Sequence, residues 1–182
     1  MNKPYFNYDI AYDVYTKQIK KMAVGSIKRT GIKKIAKPVL LLAVIKGIED
    51  GVFKQNRFEY EQLAEIYEVV FKKYAEIAKQ SEYTLPCYPF YHMQTSDFWN
   101  LSILTPHSET KTVSPSIAWL KNNIEYAYLD HAFWNMLQQS EYRKRVAEFI
   151  VNTKIKTATA NSRSLLRMFL GWLLAVLKFH SW

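Results

Sequence analysis

A single cysteine, Cys87, among 182 residues rules out an internal disulfide, and no apolar stretch follows Met1 as a secretory leader would require. Both absences point to the cytoplasm as the expected setting. The uncharged run from Met168 to Leu177 falls well short of the roughly 18 to 20 apolar residues that a membrane span needs. The four histidines, His92, His107, His131 and His180, do not supply the paired histidines, asparagine and metal ligands of an HNH nuclease centre. Asp130, His131 and Asn135 imitate the start of one, yet they share a helical segment already explained by the spacing of Leu129, Phe133 and Trp134. Acidic residues are missing from the whole of 154–182, and neither an internal repeat nor a long low-complexity tract is present. No catalytic residue, metal site or cofactor is therefore expected.

What the chain does have is a core. It is 49% apolar and 15% aromatic, enough at this length for one folded domain. The net charge of +9 is unevenly spread: residues 1–37 carry 9 Lys/Arg against 2 acids, 38–153 carry 11 against 14, and 154–182 carry 5 against none. Cationic clustering of this kind suits a polyanion, because each neutralised phosphate releases a counterion. A solvated lysine-rich face would have the same composition.

The hydrophobic pattern predicts a mainly α (α+β) fold: a helical domain around a central buried helix, with a small antiparallel β-hairpin and a C-terminal apolar helical tail. A first helix is expected over Tyr8 to Val24, closed by Gly25, followed by a basic loop from Ser26 to Lys37. Pro38 suits a first helical turn, and Val39 to Ile45 is apolar on every side, as a buried central helix must be. Leu63, Ile66, Tyr67, Val70, Phe71, Tyr74 and Ile77 recur at steps of three and four, predicting an amphipathic helix over about 59–80. From Tyr88 to Leu104 the period shifts towards two, predicting two short strands joined by Thr95-Ser96-Asp97. Phe90, Phe98 and Trp99 are expected beneath that hairpin, and Tyr88-Pro89 exposed, since proline at a strand start marks an edge. After a polar loop, helices are expected from Leu129-Asp130 and from Glu141 to about Asn152, the latter capped by Ser140. Cys87 is expected as a buried apolar residue. The domain boundary is expected at residue 153, with a basic and apolar tail over 154–182 that suits docking on the domain, dimerisation or a membrane surface.

An ordered set of motifs carries a resemblance. Lys37-Pro38 with its leucine-rich helix is followed by Tyr88-Pro89-Phe90-Tyr91-His92-Met93, then Asp97-Phe98-Trp99, then Tyr126-Ala127-Tyr128-Leu129-Asp130 with Phe133-Trp134 and Arg143. Over roughly residues 5 to 153 this order resembles the sulfur-binding domain of phosphorothioate-dependent restriction endonucleases of the HNH type. The resemblance implies recognition of duplex DNA in which a non-bridging backbone oxygen is replaced by sulfur, as the specificity part of a restriction or defence system. It also implies a partner nuclease, since family members are joined to an HNH nuclease; a homodimer is the other partner expected. Carried over by motif, Tyr88 and Pro89 line the sulfur pocket and Lys37 stands at its rim. Many members have a histidine immediately before the Lys-Pro pair, where this chain has Ala36; His92 either takes over part of that role or is a backbone-bonded strand residue. The remaining DNA contacts are expected from Lys28, Arg29, Lys33 and Lys34, within a cationic run that begins at Lys17, Lys20 and Lys21. The competing reading, a metal-dependent endonuclease, rests on Asp97 with Glu109 and Lys111, an acid followed by an acid-x-lysine pattern.

Overall fold

A computed structural model describes residues 6–104 and 115–158. Helix α1 (Tyr8–Lys21) starts where the Asn7 side chain accepts a hydrogen bond from the Ile10 amide at 3.0 Å, with Asp9 in the first turn and Lys20 and Lys21 in the last, each complementing the helix dipole. It ends three residues before the expected stop at Val24. Ala11, Tyr15 and Ile19, four residues apart, form its buried stripe.

Helix α2 (Ala36–Glu49) is the central helix that the leucine-rich run predicts, with residues from Val39 to Ile45 buried without a break. Pro38 is its third residue, where the missing N–H has no helical partner to lose. Late in α2, Gly47 leaves its Cβ position to the ring of Phe53, which folds back onto the helix and stands edge-on to Phe58 at 5.0 Å. Helix α3 (Tyr60–Ile77) packs on α2 through Leu63, Tyr67, Val70 and Phe71. Ile66 and Tyr74 are partly buried as the spacing implies, whereas Ile77 is exposed. Lys79 closes α3 in the left-handed region, φ 50°, where the Gln80 amide bonds to the Ala75 carbonyl and the Lys79 amide to that of Glu76.

The segment after Pro86 departs from expectation. Residues Cys87–His92 are helix α4, followed by a 3-10 turn at Met93–Thr95, not the first strand of a hairpin. Cys87, Phe90 and Tyr91 are buried at spacings of three and four, and that helical stripe outweighs the alternation of Phe90, His92 and Gln94. The second expected strand is present as β1 (Trp99–Ile103), but its partner lies much later. Helix α5 (Ile117–Asn123), capped by the Ser116 hydroxyl, leads into β2 (Ile124–Leu129), which pairs antiparallel with β1 from Trp99 opposite Leu129 to Ile103 opposite Ile124. A bulge falls between Ser102 and Ile103.

Phe58 extends this small sheet on the far side of β2 by exchanging both backbone bonds with Ala127, at 2.8 and 3.0 Å. The Asn56 amide then satisfies both backbone groups of Leu129. Helix α6 (His131–Leu137) buries Phe133, which stacks on Tyr15 of α1 at 4.4 Å. Helix α7 (Ser140–Ile150) begins at Ser140, but Gln139 occupies the cap position and no side chain caps it. A widened π turn, Val151–Ile155, continues α7, and Ile155 and Ala158 are buried against the core. No helix among the described residues is long and apolar enough to cross a membrane. The apolar tail from residue 159 onwards lies outside the described residues.

Candidate nucleic-acid interface

Four short segments meet at the N-terminal end of α2 and enclose an open cavity of about 450 Å³, the first of them Val24-Gly25 after α1. Lys34, Ala36 and Lys37 come from the end of the basic loop and the first turn of α2. Glu82 to Leu85 form a strap between α3 and α4, and Tyr88, Pro89 and His92 lie on α4. Of the expected site residues, the fold therefore brings Lys34, Lys37, Tyr88, Pro89 and His92 together around one space. Lys28, Arg29 and Lys33 stand on the same basic loop but do not line it.

Local sequence explains each wall. In the basic loop the Lys34 amide bonds to the Gly25 carbonyl and the Ile27 amide to that of Ile32, both at 2.8 Å, while Ser26 bridges Lys33. Gly31 supplies the left-handed turn, φ 68°, that reverses the chain, and buried Ile27 and Ile35 root the loop in the core. Its tip, Lys28-Arg29-Thr30, is thus held out in solvent.

On α4 the exposure differs from an edge strand's. Tyr88 is 40% exposed, whereas Pro89 is buried and shows the cavity only part of its ring. Pro89 is the third residue of α4, so, like Pro38, it costs the helix no hydrogen bond. Trp99 supports α4 from below: its indole N–H donates to the Phe90 carbonyl at 3.0 Å, and its ring meets Phe90 edge-on at 5.9 Å. Phe90, Phe98 and Trp99 are all core residues, as their composition suggests.

Lys37 is half-buried, and its ammonium donates to the Thr95 hydroxyl at 2.9 Å, which in turn donates to the His92 carbonyl at 3.0 Å. One of its three N–H donors is occupied in this way, leaving two for an anion. Burial lowers the Lys37 pKa from the ordinary lysine value. His92 is lowered as well, first by burial and then by the neighbouring Lys37 charge, both of which favour the neutral imidazole. The cavity thus places two lysines, Lys34 and Lys37, beside a ring-lined surface.

Two residues that build the site were not legible in advance. Gln80 is 3% exposed; its side-chain oxygen accepts from the Ile35 amide at 3.0 Å, and its nitrogen donates to the Glu82 carbonyl at 3.0 Å. One buried amide therefore ties the entry of α2 to the strap. Leu85, 47% exposed, adds an apolar face next to Tyr88, and the Tyr67 hydroxyl pins the strap by donating to the Thr84 carbonyl at 2.9 Å. A lone glutamine after a helix carries no sequence signal of such a role. Leu85 directly before Pro86, apolar where a polar turn is usual, was the available hint.

The nuclease-like set is not assembled among the described residues. Asp97 is exposed in the turn before β1, and Glu109 and Lys111 lie outside the described residues. No group of three or more His, Cys, Asp or Glu among the described residues is placed to hold a metal ion. Cys87 is buried, and burial pushes its thiol up, which fits an inert core residue.

The fold has a solved counterpart. A structure described as the sulfur binding domain of SprMcrA complexed with phosphorothioated DNA superposes with a TM-score of 0.59 at 15% identity, covering 83% of this chain and 93% of that one. At that identity the likeness establishes the architecture. No curated protein matches the sequence. The family model for the ScoMcrA-like DNA sulfur-binding domain matches residues 13–169, a span that includes the basic loop, α2, the strap, α4 and both strands. With that match over most of its length, the chain belongs to the ScoMcrA-like DNA sulfur-binding domain family.

Proposed function

We infer that this chain is a module that binds phosphorothioate-modified duplex DNA. The observation that carries this reading is the cavity in which Tyr88 and Pro89 meet Lys34 and Lys37, in a chain of a DNA sulfur-binding family. The structural counterpart was captured on phosphorothioated DNA, which supports the same ligand class.

The physical basis is a difference in hydration. A phosphodiester oxygen brought against the Tyr88 ring and the Pro89 ring loses water that an apolar wall does not replace. Sulfur is larger, more polarizable and less well hydrated, so it loses less and gains dispersion contact. Both linkages carry one negative charge, so Lys34 and Lys37 attract them alike and the rings make the distinction. Lys37 supplies a cation at the rim, and His92 closes one side.

The test compares one duplex with and without a single phosphorothioate across a salt series. A modest desolvation penalty of about 1–3 kcal/mol predicts roughly 5- to 150-fold tighter binding of the sulfur-containing duplex. Equal affinities at every salt concentration would sink this reading. As the specificity part of a restriction or defence system, the module would direct a nuclease, joined to it or recruited, to marked DNA. A homodimer would serve to engage both strands of a symmetrical site.

The loop tip has a separate role in the same reading. Lys28 and Arg29 stand outside the cavity in solvent, where they can meet neighbouring phosphates but cannot distinguish sulfur from oxygen. Glutamate at both positions should weaken binding to modified and unmodified DNA by similar factors. The slope of log affinity against log salt should also become shallower, by about 0.9 for each phosphate that is no longer neutralised. Anisotropy titrations at several salt concentrations read both effects. An unchanged slope would make the tip a solvated face.

A further inference from the structure

Glu82 is an acidic residue among those lining the cavity that Lys34 and Lys37 make cationic. Its backbone is held in place, because the Gln80 side chain donates to the Glu82 carbonyl and the Tyr67 hydroxyl to that of Thr84, so the strap is fixed on both sides of Tyr83 and the Glu82 side chain extends from a fixed root. Glu82 is exposed, and the ion pairs found among the described residues engage other carboxylates.

An acid within a polyanion's footprint repels every phosphate it approaches. That repulsion cannot select sulfur, since a phosphodiester and its phosphorothioate carry the same charge. A carboxylate gains from DNA only where DNA offers a hydrogen-bond donor, and the DNA backbone offers none. The donors are the exocyclic amino groups: cytosine N4 and adenine N6 in the major groove, guanine N2 in the minor groove. The minor groove, about 6 Å wide, brings the phosphates of both strands close to any carboxylate that enters it, which opposes reading guanine there. On adenine the amino group adjoins the N7 acceptor, which opposes the second carboxylate oxygen. Cytosine presents its amino group beside a C–H and is the base that acidic side chains read.

We propose that Glu82 is a base-reading residue that accepts a hydrogen bond from the amino group of a cytosine next to the phosphorothioate, so that one cavity selects sulfur and its flanking base together. This deepens the sulfur-binding reading and rests on it.

The experiment uses the full chain and duplexes carrying one phosphorothioate, with the base pairs flanking it varied through all four choices, beside a matching sulfur-free series. Wild type should favour cytosine at one flanking position by roughly 5- to 150-fold, the discrimination of one good base contact. Glu82→Ala should erase that base preference and keep the sulfur preference. Glu82→Gln should move the preference towards adenine, whose N6 and N7 suit an amide. The proposal is overturned if the base preference survives Glu82→Ala, or if Glu82→Ala tightens binding to all duplexes by one common factor, the mark of simple repulsion. Equal binding with and without sulfur in wild type would sink the sulfur pocket instead, and the base preference is still read from the sulfur-free series.

Discussion

Tyr88→Ala is expected to remove the preference for sulfur while leaving general DNA binding in place. Tyr88 is the second residue of α4, exposed, and alanine is a better helix former there, so the substitution takes away a wall of the cavity and not part of the core. Without the ring, water reaches the non-bridging position and oxygen keeps most of its hydration. The roughly 1–3 kcal/mol that separates the two duplexes should then collapse towards zero. Lys34, Lys37 and the loop tip are untouched, so both duplexes should still bind weakly and with the same dependence on salt. Tyr88→Phe keeps the ring and should keep the preference. Dissociation constants for the paired duplexes, measured on wild type and both variants, check the set. A preference that survives in Tyr88→Ala would move the selective surface to Pro89 and Leu85.

Trp99→Ala carries the largest expected effect on stability. Its indole is 2% exposed, lies nearly parallel to Phe58 at 5.8 Å, meets Phe90 edge-on and donates its N–H to the Phe90 carbonyl. Truncation leaves a large void and removes a buried hydrogen bond, for which a cost of about 3–5 kcal/mol is typical. That is a large share of the roughly 5–15 kcal/mol by which domains of this kind are usually stable. Because the same contacts press α4 against β1, sulfur selectivity should fall along with stability. Trp99→Phe, which keeps most of the packing, should cost considerably less. Urea unfolding curves read the difference, and a loss below about 1 kcal/mol for Trp99→Ala would show that the site collapses around the gap.

The legibility of this molecule follows the range of its interactions. Helices α2 and α3 were readable because the residues that specify them are neighbours in sequence: an unbroken apolar run for a helix buried on all sides, and a stripe at three and four for one buried on a single face. Phe90, Phe98 and Trp99 were readable as core from their size and apolarity. The motif order also pointed to Lys37, Tyr88, Pro89 and His92, and the cavity brings these four together with Lys34.

Other features depended on partners that local pattern does not name. Six residues from Cys87 to His92 satisfy a period of two almost as well as one of 3.6, and the choice fell to distant partners, Trp99 for Phe90 and Trp119 of α5 for Tyr91. Strand β1 was visible, yet it pairs with β2 across α5, and Phe58 joins from before α3. The strap from Glu82 to Leu85 became a cavity wall only because buried Gln80 and Tyr67 hold its carbonyls. The sequence by itself determined the buried faces of α2 and α3 and where the cations cluster along the chain, since both are properties of nearby side chains. Tertiary structure decided strand pairing and closure of the cavity, because each requires groups far apart in the chain to satisfy one another's hydrogen bonds and fill one another's space.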